Sequence, residues 1–153
     1  MRAKKLGRHE LLSWVNSVTQ SDYPKIESLS DGIAFCQIID CFYENCVDLT
    51  KLKCMYSNYH KNSFLDNSRN QEDYEKNLTY LNDGLNKIKT LKQIDPIKFA
   101  KGKFTTNFEF LQILYDHVSK CYGSVYNIKY NAYEKRVEAL KHQFGSKIKL
   151  FKT

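Results

Sequence analysis

Residues 72–90 read EDYEKNLTYLNDGLNKIKT, and within them Tyr74, Leu78, Leu81, Leu85 and Ile88 recur at alternating four- and three-residue steps. That spacing puts all five on one face of an α-helix and leaves acids, lysines and amides on the other. The same signature extends outward in both directions. Residues 8–20 align Leu11, Leu12, Trp14, Val15 and Val18, and residues 31–44 align Ile33, Cys36, Ile39 and Phe42 or Tyr43, with Ser30 placed to cap the start. Residues 106–122 open with Thr106-Asn107-Phe108-Glu109, the spacing of a capping box, and continue through Leu111, Tyr115, Val118 and Tyr122. Shorter helical turns fit 25–29, 50–55 and 96–101. Alternating strand patterns are nearly absent, so the expected fold is all-α.

The chain has 153 residues, room for one compact domain and a short appendage. Six Gly and two Pro against 14% aromatic residues exclude collagen-like, low-complexity and wholly disordered classes. No apolar run approaches the roughly 18 residues of a membrane span. The basic start MRAKKLGRHELLSWV is interrupted by His9, Glu10 and Ser13, which is no signal-peptide core. These features lead us to expect a soluble, intracellular chain. Cys36, Cys41, Cys46, Cys54 and Cys121 include no Cys-x-x-Cys pair, so reduced, mostly buried thiols are expected, with no disulfide framework and no zinc site.

Charge is unevenly distributed. The net +7 comes from the ends, with Arg2, Lys4 and Lys5 in residues 1–5 and seven basic against two acidic residues (Glu134, Glu138) in 124–153. Residues 6–123 are nearly neutral, yet within them 87–103 hold Lys87, Lys89, Lys92, Lys98, Lys101 and Lys103 against Asp95 alone. Such a patch between two helices is either a solvated lysine face or the docking face for an anionic partner. Catalytic signatures are missing. Gly102-Lys103 lacks the upstream glycine of a phosphate loop, His9-Glu10 lacks a second histidine, and His9, His60, His117 and His142 are scattered. His117 reads as a structural residue on the last core helix, and Trp14, Phe35, Phe108 and Phe110 read as core aromatics. An enzyme is not expected, and no cofactor or metal is implied.

Two segments depart from the helical pattern. Residues 57–71, SNYHKNSFLDNSRNQ, have no period and read as a polar loop, dispensable for folding. After Gly123 a further stripe, Tyr133, Val137, Leu140, Phe144 and Phe151, lies on an otherwise charged helix. It must bury against the domain itself, another copy or a partner.

Three stretches carry a family resemblance: LGRHELLSWVN at 6–16, KIESLSDGIAFCQIID at 25–40 and KGKFTTNFEFLQ at 101–112. In this order they resemble the calponin-homology domain of the end-binding (EB) proteins, the autonomous trackers of microtubule plus ends. The likeness spans about 6–123, leaving 1–5 as a basic segment and 124–153 as a basic helical extension. The 101–110 run and the Arg8-His9 to Trp14 start are specific to that branch; Leu29 with Asp31-Gly32 is shared with calponin-homology domains generally. The resemblance implies a helical domain that docks on the tubulin lattice between protofilaments. It places Arg8, Lys51, Lys53, Lys89, Lys92, Lys101, Lys103 and Thr105 at the microtubule, with His9 fixing the helix start. Thr50 stands where a lysine is usual and Thr105 where a glutamine is usual in the tubulin-facing turn, which implies a blunter sensing of the tubulin nucleotide state. Tyr115-Asp116 replaces a lysine pair, lowering the basic charge on the last core helix. The 57–71 loop is about a dozen residues longer than the family norm, an insertion of the kind surface loops accept.

Implied partners are tubulin and microtubules, with no membrane or specific nucleic acid, at cytoplasmic microtubules, plus ends and the spindle. The family's dimerising coiled coil and acidic tail, which meet other plus-end proteins, are absent from these residues, so the isolated chain is expected to be monomeric or at best weakly dimeric, with a homodimer open to a longer native chain. Two rival classes follow from the same residues. One is a calponin-homology adaptor or actin-associated module; the other, a basic RNA-binding protein, lacks the aromatic-bearing sheet or Gly-rich clamp it would need.

Overall fold

Eight of the ten residues of α2 (Ile33–Phe42) are buried, so this helix lies inside the fold and not on its surface. The sequence stripe shows one apolar side; burial all round is what its nearly continuous run of Ile, Ala, Phe and Cys allows, broken only by Gln37, itself buried, and Asp40. The computed structural model describes residues 5–53, 71–122 and 130–144. Around α2 pack α1 (Arg8–Thr19), α3 (Gln71–Lys87), α5 (Phe104–Tyr122) and α6 (Ala132–Phe144), while the short α4 (Pro96–Ala100) rests on α3 and α5, with 3₁₀ turns at Ile26–Asp31 and Leu49–Lys51. Every regular element among the described residues is helical. The 57–71 loop lies outside those residues, apart from Gln71 at the start of α3.

The core joins Leu11, Trp14 and Val15 of α1 to α2, to Leu78, Leu81 and Leu85 of α3, and to Leu111, Leu114 and Val118 of α5. Trp14 stacks on Phe42 at 6.4 Å and meets Tyr115 edge-on at 4.9 Å, while Phe35 meets Phe110 edge-on at 5.0 Å. Tyr115 therefore packs at the core. Phe108 is a correction: it is half-buried at the margin, stacked on Phe104 at 5.0 Å. The inward face of α5 runs through Asn107, Leu111, Leu114 and Val118, one position away in register.

Both expected caps also shift. Ser30 lies buried in the 3₁₀ turn and accepts a 2.9 Å bond from Asn107, and it is Asp31 Oδ1 that accepts the Ile33 N–H, at 2.9 Å. Gly32, at φ 77°, makes the left-handed turn between the two elements. Helix α5 begins at Phe104, two residues ahead of the capping-box position, and Thr106 is buried in its first turn.

Asparagine amides join the helices to the irregular segments. Asn16 on α1 accepts from the Tyr23 N–H at 2.8 Å and donates to the Tyr23 carbonyl at 3.1 Å. Asn77 and Asn82 on α3 grip Lys53 and Ile94 in the same way, at 2.6 and 3.2 Å and at 2.7 Å twice. A primary amide offers one acceptor and two donors, so it satisfies a single extended residue as a neighbouring strand would. Asn77 also donates to the Asp31 carbonyl at 2.9 Å, and Asn107 donates to the Ile26 carbonyl at 3.1 Å.

The extension after residue 130 packs on the domain. Ala132, Arg136, Val137, Ala139 and Leu140 of α6 are buried, against the Leu49–Lys51 turn and α1. Tyr133, expected in the buried stripe, is 38% exposed, because the line that faces inward is 132, 136 and 139–140. The Phe144 side chain and Phe151 lie outside the described residues. Cys36 is buried, Cys41 and Cys46 are half-buried and Cys121 is exposed, which corrects the expectation of mostly buried thiols; Cys54 lies outside the described residues.

Gly84 supplies a sharp packing test. A Cβ there would come within 2.5 Å of Val47 Cγ2 and 3.2 Å of the Cys46 carbonyl oxygen. Alanine gains about 1 kcal/mol in helix propensity, but overpacking costs about 1–3 kcal/mol. Gly84→Ala should therefore lower stability by about 1 kcal/mol in denaturant melts; a stabilised variant would show that the α3 contact yields freely.

Candidate partner-binding surface

The candidate residues occupy three exposed stretches. The first is the corner where α4 ends and α5 begins. Asp95 Oδ1 accepts the Ile97 and Lys98 N–H groups at 3.1 and 3.4 Å, starting α4 just before Pro96. Five residues later the chain turns through Lys101-Gly102-Lys103 into α5, leaving Lys101, Lys103 and Thr105 exposed. The Arg8 guanidinium lies 6.0 Å over the Phe104 ring, which brings the start of α1 to this corner. His9 is exposed; the first turn of α1 is closed instead by Glu10 Oε1, which accepts the Gly7 N–H at 3.3 Å. That corrects the role expected of His9.

The second stretch is the 88–95 linker. Ile88 and Leu91 are buried and Ile94 half-buried, while Lys89, Thr90, Lys92 and Gln93 between them are exposed. Apolar residues at every third position hold the linker down and leave its lysines outward. A cleft of about 470 Å³ separates it from α4 and α5, with Phe99 and Phe110 among its lining and Lys92, Lys98 and exposed Ile113 at its edge.

The third stretch follows α2. Lys51 is exposed and Lys53 half-buried, its backbone gripped by Asn77. Thr50 donates from Oγ1 to Asp48 Oδ1 at 2.6 Å. This bond holds the Asp48 carboxyl below the ordinary carboxylate range and shapes the turn that presents Lys51.

Elsewhere on the surface Lys76, Lys120 and Lys141 pair with Glu72, Asp116 and Glu138 at 3.6, 3.0 and 3.3 Å. Among the described residues, Lys51, Lys53, Lys89, Lys92, Lys98, Lys101 and Lys103 have no such ion-pair partner. Their charge is open to an external anion. His117 is half-buried and bonded on both ring nitrogens, consistent with its structural reading. Among the described residues no cluster of His, Cys, Asp or Glu could hold a metal ion, and no helix is long and apolar enough to cross a membrane.

Sequence reading missed the asparagines that hold these stretches in place. A signal was available: Asn77 falls one turn from Tyr74 and Leu81 on the apolar stripe of α3, where an amide must find partners.

The family profile of the calponin homology (CH) domain matches residues 5–120. The chain belongs to the calponin homology family. This calponin homology domain is also similar to a chain solved in work on the structural basis of microtubule plus end tracking by XMAP215, CLIP-170 and EB1. The two are 26% identical with a TM-score of 0.65, over 85% of this chain and 97% of that chain. Helix α6 of the present calponin homology domain lies beyond the matched 5–120 segment, yet its inward face is buried on that segment.

Proposed function

We propose that this calponin homology domain is a non-enzymatic microtubule-binding module of the EB type. It docks on the acidic tubulin lattice through Arg8, Lys51, Lys53, Lys89, Lys92, Lys101 and Lys103, with Thr105 at the same face. The observation that carries this reading is the likeness to the chain from the plus end tracking work, which is covered over 97% of its length. The unpaired lysines support it independently, since a nearly neutral domain that leaves exposed cations without ion-pair partners favours an anionic partner. Cytoskeletal localisation follows from the same reading. The buried face of α6 is taken up by the domain, so we further infer a monomer in isolation, with 1–5 and 124–153 adding a less specific attraction.

Co-sedimentation with microtubules, actin filaments and RNA in parallel tests the proposal. Microtubules should pellet the chain and the other two should not. Raising salt from about 0.05 to 0.2 M should weaken binding several-fold, because exposed charge pairs are screened within about 10 Å at 0.1 M. Pelleting with actin filaments alone would favour the actin-associated reading of the same family.

A further inference from the structure

Lys92 lies midway between two anchored residues of its linker. On one side, Thr90 Oγ1 and Nε2 of His117 are 2.5 Å apart, and His117 Nδ1 is 2.5 Å from the Tyr43 hydroxyl. On the other, Asn82 grips both the N–H and the carbonyl of Ile94 at 2.7 Å, and the Gln93 side chain donates to the Asn82 carbonyl at 3.5 Å. His117 thus joins three elements: the C-terminal end of α2 through Tyr43, the linker through Thr90, and its own helix α5. Desolvation, together with the charge of Lys120 and against that of Asp116, holds its pKa below the ordinary histidine value. In the neutral ring one nitrogen donates and the other accepts, and two hydroxyls can each take either role. Cys121 Sγ stands 4.0 Å from Nδ1, on the same helix.

We propose that His117 and Asn82 are positioning residues, which fix the Lys89–Lys92 linker in its binding shape before an acidic partner arrives. The proposal rests on the microtubule-binding reading above. Its physical basis is preorganisation: a linker already ordered loses less freedom on docking, so more of the lysine–lattice attraction appears as affinity. Without the anchors at 90 and 94, Lys92 would have to be ordered at the moment of binding.

The test is a microtubule co-sedimentation titration on the full chain. Thr90→Val keeps the shape and removes the hydroxyl that meets His117. It should weaken binding about fivefold, the weight of one neutral hydrogen bond, while the melting temperature stays within a few degrees because Thr90 is exposed. Thr90→Ser, which restores a hydroxyl, should restore binding, and Asn82→Ala should reproduce the loss. A purely structural role is separated by a double-mutant cycle. If Thr90 acts through Lys92, Thr90→Val combined with Lys92→Gln should lose less than the product of the two single losses. Wild-type binding by Thr90→Val, or independent multiplication in the cycle, overturns the proposal while leaving the functional reading in place. A wild-type chain that ignores microtubules overturns both.

Discussion

Replacing Arg136 by alanine should lower the melting temperature by roughly 10 °C, the equivalent of about 3–5 kcal/mol in a domain of this size. Arg136 is 4% exposed. Its Nη1 donates to the Thr19 carbonyl and, at 2.9 Å, to Gln37 Oε1, while Nη2 donates to the Gln20 carbonyl at 2.9 Å. The two carbonyls end α1, where backbone oxygens lack helical partners and carry the negative end of the dipole. Gln37 in turn donates to the Ala132 carbonyl at 2.8 Å, so the guanidinium joins α1, α2 and α6. Alanine would leave these acceptors buried and facing a void. The exposed neighbour Lys135, changed to alanine, should alter stability by no more than about 0.5 kcal/mol.

The deficit should also depend on pH. Complete burial pushes the Asp31 carboxyl up to about 6, against the Tyr23 hydroxyl, backbone amides and the Arg136 charge that pull it down. Removing the arginine raises it further. A carboxyl raised above its unfolded value of 3.8 contributes stability below that value and loses it as pH climbs through the folded pKa. Arg136→Ala should therefore fall further behind wild type at pH 8 than at pH 5. Circular dichroism melts at both pH values measure this. A variant that melts like wild type would mean α6 is not part of the folding unit.

What was legible in the sequence depended on how local the cause was. The 4-3 spacing of Tyr74, Leu78, Leu81, Leu85 and Ile88 identifies α3 because helix period is a property of neighbours along the chain. Caps are less local. Ser30 has the right chemistry for a cap, but Asn107, 77 residues away, claims its hydroxyl, and Asp31 caps α2 instead. The α6 stripe could be seen but its occupant could not, since burying Arg136 requires carbonyls of α1 and an amide of α2 that no spacing predicts. The lysines of 87–103 stand out by composition, whereas Arg8, Lys51 and Lys53 are singled out by the family resemblance alone. The holders Asn77, Asn82 and His117 stand out by neither, because an amide becomes a clamp only once an extended residue passes beside it.

Lys92→Glu should reduce microtubule co-sedimentation by at least about tenfold, while Lys92→Gln should weaken it only a few-fold. Lys92 is exposed and has no ion-pair partner among the described residues, so its reversal should leave the melting temperature nearly unchanged. Binding is different. Against an anionic lattice the reversal turns a short-range attraction into a repulsion, and complementarity at that range governs both encounter rate and register. Gln removes the attraction without adding the repulsion, so the gap between the two variants measures how close the partner's charge lies. Higher salt should narrow that gap, as screening acts on both signs alike. The control is Lys147→Glu, in the basic C-terminal stretch outside the described residues, which should cost only a modest, salt-sensitive loss. Should Lys147→Glu abolish binding while Lys92→Glu binds like wild type, the affinity resides in the C-terminal stretch and the 88–95 linker is a solvated lysine face.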